Sequence, residues 1–213
     1  MFTSLMLLLL AYLLGSISGS LLLGALRGVD VRRQGSGNAG GTNALRVLGW
    51  RFALGVVAID IGKGALAAGL VVLLAPAEAP FAPVALAHVA IVFAVAGHTW
   101  PVFYGFRGGK GAATLVGGLA VVWPAALPVL LLVWLLCIGL SGYVGLATML
   151  AALVLLPLAW WGGPDPVRLA FALAAAVFIV FNHRDNVARL IGGVENRFER
   201  ARVLHRLLRK PQG

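Results

Sequence analysis

Three polar, glycine-rich segments interrupt an otherwise apolar chain, and the first has residue types suited to binding phosphate. It runs from Arg32 to Arg46 and reads RRQGSGNAGGTNALR. Glycine allows positive φ and a close backbone approach, so successive N–H groups can surround an anion. Arg46 adds a charge that can hold phosphate through two parallel hydrogen bonds. Four polar side chains supply further donors: Ser36, Asn38, Thr42 and Asn43. A flexible linker is the alternative interpretation.

The second segment, from Gly97 to Thr114, contains RGGKG directly before a new apolar run. Arg107 and Lys110 therefore precede a predicted helix, whose N-terminus favours anions. A loop that follows only the positive-inside rule would explain the two cations but not the glycines between them. His98 fits equally well a packed histidine at a helix end and a residue of the site.

The third segment, from Phe181 to Arg197, contains a histidine, an asparagine and an arginine at helical spacing. His183, Asn186 and Arg189 are three residues apart, so on one helix they share a face. His183 could act as a general base or donate a hydrogen bond to substrate. The alternative is a basic tail that binds lipid headgroups, which explains the arginines after residue 200.

Two smaller polar groups lie within or between the apolar runs. The turn from Ser141 to Thr148 offers hydroxyl groups. Asp60 and Lys63 lie inside an apolar run, where an unpaired charge costs about 3 kcal/mol or more near the membrane centre. Their i, i+3 spacing permits an internal ion pair, which is at least as probable as a role in substrate binding.

The elements that must position these segments are predicted to be membrane-spanning helices. Of the 213 residues, 61% are hydrophobic and only 11% are charged, too few charges for a water-soluble surface. No charged residue occurs in 1–26, 79–106 or 111–164, and about 20 apolar residues suffice to cross a bilayer. The single cysteine, Cys137, excludes an intrachain disulfide. We predict an all-α fold with seven spans at 4–26, 52–75, 81–103, 111–123, 124–140, 143–161 and 166–182. The short stretch 111–123 could instead form a tilted or re-entrant hairpin with 124–140.

Charge distribution sets the expected orientation. Three crossings within 111–164 put 15 of the 17 Lys and Arg residues in the cytoplasm, whereas two crossings would export the basic C-terminal segment. We therefore expect an external N-terminus, a retained first span, a cytoplasmic C-terminus, and one membrane domain over 1–213 with a basic tail at 197–213. Lipid headgroups explain the net charge of +10 better than nucleic acid does.

In their order along the chain, these segments resemble the bacterial acyl-phosphate:glycerol-3-phosphate acyltransferase family, the PlsY family. The resemblance rests on GSGNAGGTNALR at 35–46, on GHTWPVF and FRGGKGAAT within 97–114, and on HRDNVARLIGGVE at 183–195. Asp60, Lys63 and Gly64 also fit. Departures are Gly41 where alanine is usual, Arg107 where lysine is common, and Gly145 with Thr148 where serine is frequent.

The resemblance implies transfer of a fatty acyl group from acyl phosphate to the 1-hydroxyl of glycerol 3-phosphate. The products are lysophosphatidic acid, used in phospholipid synthesis, and phosphate. It implies a bacterial inner-membrane enzyme with a cytoplasmic active site, membrane lipids around it and no cofactor or metal. A soluble enzyme that produces acyl phosphate is a candidate partner.

Site residues follow from matching the chemistry of both substrates to these motifs. We expect acyl phosphate to bind Ser36, Gly37, Asn38 and Gly40. We expect glycerol 3-phosphate to bind Arg46, Lys110, Thr148, His183 and Asn186, and all of these except Thr148 are candidate catalytic residues. The expected supporting residues are Thr42, Asn43, Gly108, Gly109, Ser141 and Glu195.

Other classes of membrane protein fit less well. A phosphate transporter would usually show an inverted repeat and charges near mid-membrane, and no repeat is evident. A CDP-alcohol phosphotransferase needs an acidic cluster for divalent metal, whereas the chain has only seven Asp and Glu residues and no such cluster.

Overall fold

The computed structural model describes residues 1–76, 82–161, 163 and 165–203, and within them the chain is helical with no strand. The α-helices of the described part are α1 (Phe2–Gly15), α2 (Gly19–Ala25), α3 (Gly41–Leu74), α4 (Pro83–Thr99), α5 (Ala112–Val122), α6 (Leu127–Ser141), α7 (Val144–Trp161), α8 (Pro166–Asn182) and α9 (Arg184–Ile191). The basic residues after 203 lie outside the described residues.

The helices are long and apolar enough for a multi-pass membrane protein. By length and composition, four helical stretches of the described chain can cross a bilayer: α3, α7, α4 extended to Tyr104, and α6 extended back to Pro124. Two bent pairs raise this to six if each pair is one span. They are α1 with α2, bent by 52°, and α8 with α9, bent by 56°. The apolar α5 is shorter.

The predicted boundaries lie close to the ends of these helices in most places, but length and composition support four to six spans in the described residues rather than the predicted seven. The predicted span 4–26 is interrupted between α1 and α2. The predicted span 52–75 lies within α3, which begins earlier, at Gly41. Within α3, Gly49 has φ 81° and ψ 178°, a conformation that only glycine adopts readily, and this breaks the helix. The segment predicted to be a loop therefore ends in a short helical stretch, and the long helix begins after Gly49.

The chain forms two compact units, Met1–Pro124 and Ala125–Gly213. In the first unit, α3 packs against α1, α4 and α5. Small residues allow these contacts: a Cβ on Gly64 would collide with the backbone of Thr114, and one on Gly117 with the backbone of Ile61. Helices in membranes commonly approach each other through small residues in this way. The α3 and α5 backbones thus touch almost directly.

In the second unit, α7 packs against both α6 and α8. The segment after α9 returns to the turn between α6 and α7. There the N–H of Phe198 donates to the carbonyl of Gly142 at 2.9 Å. The guanidinium of Arg197 lies 4.6 Å from the centre of the Tyr143 ring. The chain beyond α9 therefore holds the turn that carries Ser141.

The contact between α3 and α5 predicts a sharp difference between two glycines of one helix. Gly64→Ala should lower the melting temperature of the detergent-solubilised protein by about 4 °C or more, because overpacking costs about 1–3 kcal/mol. Gly62 has no atom within 4 Å of an added Cβ, so Gly62→Ala is the matched control and should not lower it. Differential scanning fluorimetry measures both. Equal melting temperatures for the two variants would contradict the close contact.

Candidate active site

The first glycine-rich loop is organised from within by Asn43. This side chain is buried. Its Nδ2 donates to the carbonyls of Val31 and Gln34, each at 3.0 Å, and its Oδ1 accepts from the N–H of Ser36 at 2.8 Å. Asn43 therefore holds the loop together, and both of its amide hydrogens are used inside it.

The backbone donors that can meet an anion lie slightly later in this loop than the glycine pattern suggests. The N–H of Ser36 is bonded to Asn43, and the N–H of Gly37 donates to the carbonyl of Gln34 at 3.1 Å. Among the described residues, the N–H groups of Asn38, Ala39 and Gly40 have no protein acceptor. The next N–H groups begin α3, where a helix leaves its first donors unpaired. The row of available donors thus runs from Asn38 into the first turn of α3.

The second glycine-rich loop folds back onto the end of α4. The N–H of Gly108 donates to the carbonyl of Thr99 at 3.1 Å, and that of Gly109 to the carbonyl of His98 at 3.0 Å. A Cβ on Gly109 would collide with the His98 ring and approach the carbonyl oxygen of Ala39 to 2.7 Å. The absence of a side chain at 109 therefore lets the two glycine-rich loops meet, directly before Lys110.

Arg32 connects the same two loops. Its guanidinium binds both carboxylate oxygens of Asp30, with the shortest contact at 2.9 Å. Its Nη1 also donates to the carbonyls of Tyr104 and Arg107, each at 3.0 Å. In the sequence, nothing distinguishes Arg32 from the other basic residues of this loop. The structure shows that it joins the loops, and its long-range carbonyl partners left no signal in the sequence.

The charge state of this connection is stable over a wide pH range. The hydrogen bonds from Arg32 hold the pKa of Asp30 below its ordinary value of 3.8, and those to Asp30 raise the pKa of Arg32. A lowered carboxylate pKa adds stability that is complete above the ordinary value and is lost as the pH falls through the lowered one. Near neutral pH the contact does not titrate.

His183 occupies the bend between α8 and α9. Its side chain is buried, and its Nδ1 lies 2.8 Å from the carbonyl oxygen of Ile179. A carbonyl can only accept, so Nδ1 carries the proton and Nε2 holds the lone pair in the neutral ring. In this tautomer Nε2 is the ring nitrogen that can accept a proton.

Glu195 brings Asn186 and Arg189 together. Its two carboxylate oxygens accept from Nδ2 of Asn186 at 2.8 Å and from Nε of Arg189 at 2.7 Å. The expectation that these two residues share a helix face agrees with this geometry. The Asn186 side chain also covers Gly145, where a Cβ would lie 2.7 Å from Nδ2. Glu195 thus orients the amide of Asn186.

The two hydroxyls of the turn after α6 donate their hydrogens inside the protein. Ser141 donates to the carbonyl of Cys137 at 2.7 Å, and Thr148 to that of Val144 at 2.8 Å. Trp134 in turn donates to the Thr148 hydroxyl at 3.3 Å. As placed, these oxygens can accept hydrogen bonds but cannot donate to a phosphate.

The predicted internal pair of Asp60 and Lys63 is confirmed. Their charged groups are buried and lie 2.9 Å apart. His98 is the third member, with Nδ1 at 2.7 Å from the lysine nitrogen. His98 is therefore a packed histidine at the end of α4, and its partner 35 residues earlier could not be read from the sequence.

Comparison with known proteins agrees with this architecture. Residues 5–193 match the model of the family "Glycerol-3-phosphate acyltransferase". The glycerol-3-phosphate acyltransferase of Chlorobaculum tepidum is 39% identical, over 92% of this chain and 97% of that protein. The one from Halalkalibacterium halodurans is also 39% identical, over 89% and 93%.

A solved structure extends the likeness to the fold. PlsY (YgiH), described as an integral membrane glycerol 3-phosphate acyltransferase, matches in its glycerol 3-phosphate form with a TM-score of 0.85 and 34% identity. The match covers 97% of this chain and all of that one. Its lysophosphatidic acid form matches with a TM-score of 0.84. A helical multi-pass membrane acyltransferase is the class that these features define. Within that class, the chain belongs to the glycerol-3-phosphate acyltransferase family of the PlsY type.

The contacts of Arg32 predict a specific loss of order in the second loop. Arg32→Ala should speed amide hydrogen exchange across residues 102–109 and lower kcat/KM about tenfold, equivalent to about 1.4 kcal/mol. That value is in the range for hydrogen bonds to a charged group. Arg33→Ala is the matched control, since Arg33 is the adjacent, exposed arginine. If Arg32→Ala exchanged no faster than Arg33→Ala, Arg32 would not hold the loop.

Proposed function

We propose that this protein transfers a fatty acyl group from acyl phosphate to the 1-hydroxyl of glycerol 3-phosphate. The bond between the acyl carbon and the phosphate oxygen breaks, an ester bond forms, and lysophosphatidic acid and phosphate leave. The observation that carries the proposal is the meeting of two glycine-rich loops beside an N–H row and Lys110, in a chain of this family. The matched PlsY structures, in glycerol 3-phosphate and lysophosphatidic acid forms, support it.

The chemistry of the chain favours an acyl phosphate donor. Many glycerolipid acyltransferases carry a His-x4-Asp motif, in which the histidine activates the hydroxyl. None of His88, His98, His183 or His205 has an aspartate five positions later. Acyl phosphate is already activated, because phosphate leaves readily. Orientation of the hydroxyl and stabilisation of the developing charge are therefore sufficient, with no serine or cysteine nucleophile.

Each proposed contact follows from what its residue can donate. Acyl phosphate would meet the N–H groups of Asn38 and Gly40 and the hydroxyl of Ser36, with Gly37 allowing a close approach. Thr42 would contribute from the first turn of α3. These groups are backbone and neutral side chains, which bind a phosphate by many hydrogen bonds rather than by charge.

Glycerol 3-phosphate would be held mainly by charge and by oriented polar groups. Arg46 and Lys110 would bind its phosphate, and Asn186 and His183 would contact its hydroxyls. Thr148 would take part as an acceptor, because its hydrogen already bonds to Val144. His183 would receive the hydroxyl proton on Nε2, or the departing phosphate would take it.

Topology completes the proposal. The cytoplasm of a bacterium supplies acyl phosphate and glycerol 3-phosphate, and basic loops favour that side of the inner membrane. With α1 and α2 as one span, α8 as another and the short α5 crossing as well, the chain has seven spans. The N-terminus is then external and the glycine-rich loops are cytoplasmic, where a soluble enzyme that produces acyl phosphate could deliver it.

The donor is tested directly with purified protein and labelled glycerol 3-phosphate. We expect lysophosphatidic acid to form with acyl phosphate and not with acyl-CoA, together with one equivalent of phosphate per ester. Thin-layer chromatography and phosphate release measure the two products. Activity with acyl-CoA alone would refute the proposed donor, while leaving the family membership intact.

Substitutions should separate binding residues from a proton acceptor. Arg46→Ala and Lys110→Ala should raise the KM for glycerol 3-phosphate about tenfold or more, because each removes a charge on its phosphate. His183→Asn keeps a donor for the Ile179 carbonyl but removes Nε2, so it should lower kcat about 100-fold, as expected for a lost general base. Steady-state kinetics with both substrates varied provides the measurement. Near-normal turnover of His183→Asn would exclude His183 as the base and leave the departing phosphate as the proton acceptor. An unchanged KM for glycerol 3-phosphate in Arg46→Ala and Lys110→Ala would show that these residues do not bind its phosphate.

A further inference from the structure

A buried charged network connects the interruption of the first span to the end of α4. We define the network as Asp60, Lys63 and His98, whose side chains are at most 5% exposed. The lysine nitrogen lies 2.9 Å from Oδ1 of Asp60 and 2.7 Å from Nδ1 of His98. Nothing in the proposed chemistry uses these three residues.

The network supplies hydrogen bonds that the interrupted helix lacks. Lys63 donates to the carbonyl of Ile17 at 2.9 Å, and Asp60 accepts from the N–H of Gly19 at 3.1 Å. Both backbone groups flank the interruption between α1 and α2. With Ile17, Asp60 and His98 as acceptors, all three hydrogens of the ammonium group are used. His98 then accepts at Nδ1, so its remaining proton is on Nε2.

The other end of the network meets the loop that carries Lys110. The carbonyl of His98 accepts from the N–H of Gly109, and its ring tip packs so closely against Gly109 that a Cβ would collide with Nε2. The residues just before the interruption also touch this loop. Tyr12 donates to the carbonyl of Trp100 at 2.7 Å, and Ser16 Oγ lies 3.4 Å from the N–H of Val102.

We propose that the network formed by Asp60, Lys63 and His98 is a positioning device that sets the second glycine-rich loop, and thereby Lys110, for binding glycerol 3-phosphate. The inference rests on the proposed function, because it assigns Lys110 to that substrate. The three residues act through the loop and touch no reacting atom. Their effect is therefore expected in substrate affinity and loop order rather than in the chemical step.

The alternative is a network that only stabilises the fold, and the two can be separated. A buried ion pair replaced by uncharged residues of similar volume often leaves stability unchanged, whereas removal of one partner destabilises strongly. A purely stabilising pair can therefore be exchanged without loss of function. A positioning pair cannot, because the bonds to Ile17 and His98 need the ammonium group of Lys63 as donor.

The experiment compares Lys63→Met, the double variant Asp60→Asn/Lys63→Met, and His98→Asn in the full-length detergent-solubilised protein. Melting temperature, hydrogen exchange of residues 14–20 and 98–112, and the KM for glycerol 3-phosphate are measured for each. We expect the double variant to melt closer to wild type than Lys63→Met does, yet to keep a KM raised about tenfold and faster exchange in both segments. A double variant with wild-type KM and exchange would overturn the proposal.

His98→Asn keeps the proposal testable if the charge variants do not fold. Asparagine places an acceptor near the position of Nδ1 for Lys63 but lacks the ring tip that packs against Gly109. We expect faster exchange in 98–112 and a raised KM, with a nearly unchanged melting temperature. His88→Gln is the matched control, because His88 is another buried histidine of α4 and should leave KM and loop exchange unchanged. Identical loop exchange in His98→Asn and wild type would overturn the positioning role.

The experiments separate a failure of the positioning role from a failure of the acyl phosphate assignment. The choice between acyl phosphate and acyl-CoA is decided by the wild-type protein alone. The KM for glycerol 3-phosphate is then measured with whichever donor is active, and hydrogen exchange needs no donor. If the donor assignment failed while the network variants still loosened the loop and raised the KM, the positioning role would stand by itself.

Discussion

A helix that is interrupted in an apolar region leaves backbone groups that must find other hydrogen-bond partners, and much of this structure follows from that constraint. Between α1 and α2, the partners are the charged groups of Lys63 and Asp60. At the bend between α8 and α9, by contrast, the carbonyl of Ile179 still accepts from the backbone N–H of His183 at 3.1 Å, and the His183 ring adds a second hydrogen bond to it at 2.8 Å. Between α1 and α2, the side chains that complete the backbone also contact His98, whose ring packs against Gly109 of the second glycine-rich loop. The interrupted helix and this loop therefore depend on the same buried side chains.

A loop that binds an anion must keep some N–H groups from bonding within the protein. In the first loop, Asn43 and Gln34 accept from Ser36 and Gly37, which fixes the loop and ends its internal bonding there. The N–H groups of Asn38, Ala39 and Gly40 then have no backbone acceptor among the residues that the structure describes. Internal hydrogen bonds at one end of the loop therefore leave backbone donors at the other, and the proposed binding of an anion there would not have to break existing hydrogen bonds.

The sequence predicted the long helices well, because apolar runs with few charges, bounded by Gly and Pro turns, determine them. The expected spans 143–161 and 166–182 match α7 and α8 within one residue. The helical start at Gly41 was missed, because a glycine-rich polar stretch has low helix propensity and tertiary contacts override it. The bend between α1 and α2 was missed as well, since no proline marks it.

The candidate site could be predicted only as a set of residue types. Asn43, Arg32 and Arg46 are all polar residues of one loop, and nothing in the sequence separates those that hold the loop from those that could meet a ligand. The ion pair of Asp60 and Lys63 could be predicted from the sequence, because the two residues are only three positions apart. The bonds from Arg32 to carbonyls more than 70 residues away could not be predicted, because every residue has a carbonyl and none is marked as the acceptor.

The side chain of Asn186 packs over Gly145, and this contact gives a structural reason for glycine at position 145. Serine is frequent there among proteins that it resembles, but a Cβ at 145 would press on the amide that Glu195 orients. Glycine at 145 and this placement of Asn186 are therefore interdependent, and a change at one site alters which residues are tolerated at the other. In an alignment of relatives, the residue at the position of Gly145 would then carry information about the orientation of the asparagine packed against it.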